Sequence, residues 1–280
     1  MTGKILITGA NGQLGTELSR ILPDAMLTNT KTLDITDWFA VKEFVSDNNI
    51  DTIINCAAYT AVDKAETDKD KAVAVNIIGP KNLAMTGAKL FHISTDYVFD
   101  GKNFCPYTPT DKASPVSVYG KTKYNGELAV LKNAKTSIII RTAWLYSPYG
   151  NNFVKTMRRL GSEKEQINVV ADQIGSPTYA ADLAQAIINI LPQIKDSQKG
   201  IYHFTNEGVC SWYDFASAIM EESNLNCQVN PIPSSAYPTK AQRPFYSVLD
   251  KSQTKQDFGL KIAHWKDGLR RCIQELDKTK

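Results

Sequence analysis

The stretch Gly9-Ala10-Asn11-Gly12-Gln13-Leu14-Gly15 limits what this chain can fold into more than any other. It follows directly on a short apolar run, Lys4 to Thr8, and leads into a helical pattern through Ile21. Strand, glycine-rich turn and helix in that order let backbone amides approach a pyrophosphate, and the helix N-terminus adds favourable partial charge. Gly9, Asn11, Gly12, Gln13, Leu14 and Gly15 are therefore the expected cofactor-binding residues. The competing reading, a plain structural turn, is weakened by the position of the glycines between the first strand and the first helix.

The alternation continues. A second strand is expected at Ala25 to Thr28, where a carboxylate would ordinarily hold the adenosine ribose. Asn29, Thr30 and Lys31 follow instead. With no carboxylate to repel a 2′-phosphate and a lysine to attract it, Asn29 and Lys31 point to NADPH; the alternative is NADH with Lys31 as a solvated loop residue. A helix at Trp38 to Asn48 precedes a buried strand, Thr52 to Asn55, and Ala57, Ala58 and Tyr59 follow it where a flat cofactor could lie. The next strand, Phe91 to Ile93, ends in Ser94-Thr95-Asp96-Tyr97, which puts hydroxyls and a carboxylate at the crevice. A hydroxyl there can stabilise charge growing on a substrate carbonyl as hydride arrives; a turn cap is the bland alternative.

Ser114-Pro115 reads as N-cap and first residue of a helix running toward Leu131. Tyr119 and Lys123 then lie four apart on one face, where an ammonium can favour phenolate. With 12 tyrosines and 32 Lys plus Arg among 280 residues, roughly one such pair arises by chance, so the context decides. A buried strand at Thr136 to Thr142 closes this series. Beyond Tyr149 the glycine signature does not return: helices are expected at Asn151 to Leu160, Ala180 to Leu191, Trp212 to Ser223 and Trp265 to Leu276, with a strand at Ile201 to Phe204. A polar loop spans Ala171 to Thr178, and Pro231 to Pro244 is long enough to be a substrate lid.

The fold class is thus α/β: a Rossmann-type doubly wound parallel sheet with a smaller C-terminal α/β substrate-binding domain. Residues 1–148 form the NAD(P)-binding domain and 149–280 mainly the substrate domain, with some segments returning to the first sheet. A formal charge of +3, with Lys and Arg dispersed, gives no case for nucleic-acid binding. The 5 cysteines are far apart and contain no Cys-x-x-Cys, as free thiols in a reducing cytosol would be, and the 3 histidines show no metal-ligand spacing. No signal peptide and no membrane-spanning run are expected, so the location read from the sequence is cytoplasmic.

The spacing of Gly9, Gly12 and Gly15 resembles the extended branch of the short-chain dehydrogenase/reductase superfamily. There Asp34-Ile35 resembles the pair set against adenine, and Asn76 the asparagine on the helix flanking the cofactor; a structural mid-helix asparagine is the alternative. Ser94 to Gly101, Tyr119 to Lys123, Gly150 to Met157, Asp172-Gln173, Ser235 to Thr239 and Arg243 to Asp250 together resemble the dTDP-4-dehydrorhamnose reductase family along nearly the whole chain. The resemblance implies reduction of the 4-keto group of a dTDP-sugar. Thr95 would polarise the keto oxygen and Tyr119 protonate it. Lys123 would hold the nicotinamide ribose and lower the tyrosine pKa. It further implies that Asp96 touches sugar or cofactor, that Trp144 lies against the sugar ring, and that Asn152, Gln173 and Arg243 line the nucleotide end. Some members dimerise through magnesium held by acidic residues; Glu17 fits the first such position, but Thr178 to Asp182 lacks an adjacent acidic pair. No metal is therefore expected, and a homodimer stays open. A dehydratase would carry Glu where Tyr97 stands, which ranks a dehydratase or epimerase second and a non-catalytic NADP-binding regulatory subunit third.

Overall fold

The structure, a computed structural model, describes residues 3–278. Strands β1 (Lys4–Thr8), β2 (Met26–Thr28), β3 (Ile50–Asn55), β4 (Lys89–Thr95) and β5 (Ser137–Thr142) alternate with helices α1 (Gln13–Ile21), α2 (Trp38–Asp47), the short α3 (Val62–Ala65) and α4 (Lys69–Val73), α5 (Gly79–Met85) and α6 (Val118–Asn133). A π-helical turn, Ala74–Ile78, joins α4 to α5. After β5 come β6 (Leu145–Tyr146), α7 (Phe153–Glu163), β7 (Gln166–Val170), β8 (Ile174–Gly175), β9 (Thr178–Tyr179) and α8 (Ala180–Ile190). The chain closes with β10 (Lys199–His203), β11 (Cys210–Ser211), α9 (Trp212–Glu222), β12 (Gln228–Ile232), α10 (Ser252–Phe258) and α11 (Trp265–Lys278).

Six strands form one parallel sheet in the order β2-β1-β3-β4-β5-β10. The strands are near-continuous apolar runs because both faces are covered. Ile7, Ile54, Phe91, Ile138 and Ile140 face α1, α8 and α10, while Leu6, Ile53, Leu90 and Ile139 face α2, α5 and α6. The order reverses about β1, so a switch point opens between the carboxyl ends of β1 and β3. Beside this sheet a second lobe packs α7, α9 and α11 around Phe215, Ile219, Trp265 and Leu269.

Several boundaries differ from the sequence reading. Helix α6 is capped by Ser117, whose hydroxyl accepts from the Gly120 N–H at 3.1 Å, rather than by Ser114. Ser114 instead donates its N–H to the Val98 carbonyl, which holds residues 114–116 off the helix axis. Pro231 is not lid: it lies in β12, which pairs in parallel with β7. The two strands form a sheet of their own, so a proline without an N–H is tolerated there. Within the 171–178 loop, β8 pairs with β11.

One buried ion pair fixes α6 to the sheet. Arg141 of β5 donates from Nε to Glu127 Oε1 at 2.9 Å and from Nη2 to Oε2 at 2.7 Å, with both side chains almost wholly enclosed. Removing one partner would strand the other charge in the interior. Arg141→Ala should therefore cost about 3–5 kcal/mol in urea unfolding, whereas breaking the exposed Arg159–Glu163 pair should cost under about 1 kcal/mol.

Candidate active site

Three carboxyl ends converge on the switch point. Gly9 has φ of 65°, and a Cβ there would meet the Ala57 N at 2.7 Å, so only glycine lets the first turn lie against the chain after β3. A Cβ on Gly15 would meet the Gly9 carbonyl oxygen at 2.5 Å, which is why α1 can start so close to β1. Gly12 occupies the N-cap position without a capping side chain, so the amides of the first helical turn are free for an anion. Asn55 ties the three strands together. Its Oδ1 accepts from Thr8 Oγ1 at 2.7 Å and from the Ala57 N–H, and its amide nitrogen lies 3.0 Å from His92 Nδ1.

Beyond β2, Lys31 and Asp34 are exposed and Asn29 is half-buried. The Asn29 side chain accepts from the Lys31 N–H, and Asp34 caps its own turn through Thr36. Ile35 is turned inward against Gly79, so it packs the core under this edge rather than presenting a face to a ligand. Asn76 is also enclosed: it accepts from the Tyr59 N–H at 2.9 Å and donates to the Tyr59 carbonyl and to Thr122. All of its hydrogen-bonding is internal. It thereby holds the Ala57–Tyr59 loop against α6.

Thr95 at the end of β4 and Tyr119 of α6 are both buried, and the threonine lies near enough to act on the phenol. Close approach of α6 makes this possible: a Cβ on Gly120 would meet the Tyr97 carbonyl oxygen at 2.2 Å, and one on Gly126 the Asn76 carbonyl oxygen at 2.1 Å. The Tyr97 ring stands edge-on to Tyr119, with centroids 5.4 Å apart. Burial raises the Tyr119 phenol above its ordinary value; the neighbouring Thr95 hydroxyl opposes that, and Asp96 and Tyr97 add to it. Lys123 is not among the groups acting on the phenol. Its ammonium donates to the Ile93 carbonyl at 2.6 Å, and desolvation lowers its pKa to about 8 against the opposing influence of Glu127 and Cys56. The expected lowering of the tyrosine pKa by Lys123 is not seen: burial governs the phenol, and a backbone oxygen holds the ammonium. Asp96 beside Thr95 is raised to about 7, again chiefly by burial.

The remaining expected residues come from the second half of the chain. Trp144 has φ of 51° and stacks on Trp212 with centroids 3.6 Å apart, while Gly175 presses against its indole. Gln173 donates to Ser234 at 2.9 Å, and Asp172 accepts from the same serine, pinning the base of the 233–244 loop. Arg243 reaches Asp63 of α3 and donates to the Tyr97 hydroxyl at 3.0 Å, which ties the far end of that loop to the first lobe. Asn152 caps α7, and its amide donates to Gln13 Oε1, Ser147 and Tyr149, which links the start of α7 to the glycine turn. Trp212, Asp63 and Asn55 were not singled out from the sequence; none has a spacing motif, and each is brought in by tertiary packing. Glu17 is buried near Arg20, Asp182 and Glu275, and burial raises its pKa. Among the described residues no group of three or more His, Cys, Asp or Glu could hold a metal, and no helix is long and apolar enough to cross a membrane.

A glycine turn at the switch point of a parallel sheet, with Thr95 at the carboxyl end of another strand of that sheet and Tyr119 and Lys123 four apart on the buried face of the helix packed on it, defines an extended short-chain dehydrogenase/reductase. The RmlD substrate binding domain family matches residues 3–278. The spore coat polysaccharide biosynthesis protein SpsK of Bacillus subtilis is 43% identical, with 97% of each chain covered. A dTDP-4-dehydrorhamnose reductase of Aggregatibacter actinomycetemcomitans is 42% identical, covering 95% of this chain and 97% of the relative. The solved dTDP-4-dehydrorhamnose reductase of Bacillus anthracis, in complex with NADP, superposes with a TM-score of 0.93 at 42% identity, covering 98% of this chain and 100% of that one. This chain belongs to the dTDP-4-dehydrorhamnose reductase family.

The cradle fits a dinucleotide, since open first-turn amides and glycines that exclude any Cβ leave backbone donors facing the switch point. Gly9→Ala should add about 1–2 kcal/mol of backbone strain at the positive φ and push the turn off Ala57. Fluorescence titration with NADPH should then show binding weakened by about tenfold or more.

Proposed function

We propose that the chain reduces the 4-keto group of dTDP-4-dehydro-L-rhamnose to dTDP-L-rhamnose with NADPH. The observation that carries this reading is the pair of buried hydroxyl side chains, Thr95 at the carboxyl end of β4 and Tyr119 on α6, near enough for the threonine to act on the phenol, in a parallel sheet whose first turn is the glycine cradle. The naming of full-length relatives at 42–43% identity supports it. Bound in the cradle, NADPH supplies the hydride.

The chain's own residues do the rest. Thr95 donates to the keto oxygen and stabilises the negative charge that grows there. Tyr119, kept protonated by burial, delivers its proton to that oxygen as the alkoxide forms. Lys123 would hold a ribose hydroxyl of the cofactor with a second of its three N–H donors, the first being taken by the Ile93 carbonyl. Trp144, already stacked on Trp212, offers a flat apolar wall to the C–H face of the sugar. Gln173 and Arg243, at the two ends of the 233–244 loop, turn toward the nucleotide, the guanidinium suiting a diphosphate. Asn29 and Lys31 at the open edge of β2 accept a 2′-phosphate. We further propose that the enzyme works in the cytoplasm, in keeping with its free cysteines, and leave a homodimer as the assembly to be tested by light scattering.

Dehydration is disfavoured because Tyr97 stands where a dehydratase acid would, with its hydroxyl engaged by Arg243 and burial raising it to about 12. A non-catalytic binding subunit would have no need of Thr95, Tyr119 and Lys123 together. Incubation with NADPH and the dTDP-4-keto-sugar should deplete reduced nicotinamide absorbance; no depletion would overturn the assignment. Tyr119→Phe should lower turnover by about 10²–10⁴-fold with cofactor still bound, and near-normal turnover would remove its role as proton donor.

A further inference from the structure

We propose that Asp96 is a positioning residue that must be a neutral carboxylic acid for Thr95 to serve the substrate carbonyl, because its proton decides where the single hydrogen of the Thr95 hydroxyl points. The inference rests on the reduction proposed above and adds a residue to it.

A hydroxyl carries one hydrogen and two acceptor lone pairs. Thr95 Oγ1 accepts from the Tyr97 N–H at 3.2 Å and lies 2.9 Å from Asp96 Oδ1. When Asp96 is a carboxylate it can only accept, so it takes the Thr95 hydrogen and leaves nothing for a keto oxygen. When Asp96 is protonated it can donate across the same 2.9 Å. Both Thr95 lone pairs are then filled, one by Tyr97 and one by Asp96, and the hydroxyl hydrogen is driven out toward Tyr119 and the crevice. No proton is transferred from Asp96 in the reaction; it stays on the carboxyl while Tyr119 supplies the proton that ends on the substrate oxygen.

The surroundings of Asp96 favour the acid. Its side chain is buried, and Oδ2 has no hydrogen-bond partner. A bare anionic oxygen in the interior is costly, whereas a neutral carboxyl is much less so. The groups facing it are the Thr95 and Ser247 hydroxyls, the N–H groups of Asp96 and Tyr97, and the Tyr97 and Tyr119 phenols. The cations nearby are engaged elsewhere, Lys123 on the Ile93 carbonyl and Arg243 on Asp63 and Tyr97. Burial outweighs the hydrogen bonds and lifts the carboxyl to about 7. The sign follows: the productive acid form is present below that value and is lost as pH rises through it.

Carboxyl ¹³C NMR of the intact chain, with Asp96→Asn to assign the resonance, should give a titration midpoint near 7. A midpoint in the ordinary aspartate range overturns the proposal whatever sugar the enzyme accepts. With saturating NADPH and the dTDP-4-keto-sugar, wild-type kcat/KM should begin to fall near pH 7. In Asp96→Asn the amide donates to Thr95 at every pH. Its decline should move up to near 8, where Lys123 titrates, with the plateau lowered by no more than about tenfold. A decline still near 7, or a loss of about a hundredfold or more at all pH values, would overturn it. If the wild-type protein consumes no NADPH with this sugar, the proposed reduction fails, and the NMR midpoint still decides the charge of Asp96.

Discussion

The Glu127–Arg141 ion pair is the interaction on which the catalytic face depends. Helix α6 carries Tyr119, Lys123 and Glu127 at successive four-residue steps, and all three point inward. Such a stripe is poor in apolar surface, so hydrophobic burial alone would not fix its rotation against the sheet. The bidentate grip of Arg141 on Glu127 does so, and the Arg141 guanidinium also lies over the Phe99 ring, with its centre 5.0 Å away. Two turns up the helix, the phenol of Tyr119 is thereby aimed at Thr95.

Polar groups accumulate around this clamp to an extent that stability by itself would not favour. His92, Ser94 and Asp96, at alternate positions at the end of β4, each keep a buried side-chain atom without a partner. Burial and the nearby Lys123 hold His92 well below its ordinary pKa, and burial raises the Cys56 thiol to about 12. An interior so arranged costs folding free energy and returns a dry, preorganised site in which a hydroxyl or ammonium interacts more strongly than in water. The glycines serve the same end by other means: Gly9, Gly15, Gly120 and Gly126 each remove a Cβ where two backbones must touch.

Much of this was legible in the sequence because it is local. Apolar runs at Lys4 to Thr8 and Thr136 to Thr142 reveal strands, and the glycine turn marks the ligand end of the sheet, since strand periodicity and turn chemistry act within a few residues. The start of α6 was misplaced by three residues because Ser114-Pro115 and Ser117 are both adequate caps. Only the bond from the Ser114 N–H to the Val98 carbonyl, remote in sequence, decides between them. The amides of Asn152 and Asn76 also make hydrogen bonds within the protein, to Gln13 and to Thr122, which a single sequence has no means of showing.

What the sequence determined by itself is the class of fold and the place of the glycine turn, because each is written in short-range pattern, and the same kind of pattern is what singles out Thr95, Tyr119 and Lys123 as candidates. Tertiary structure alone decided their electrostatics. Whether Lys123 acts on the phenol or on the Ile93 carbonyl, and whether Asp96 is an acid or an anion near neutrality, depends on desolvation by β4, α6 and the Ser247 segment together. Spacing fixes which groups can meet. Only the enclosing protein sets how far each is removed from water, and hence which of its charge states prevails.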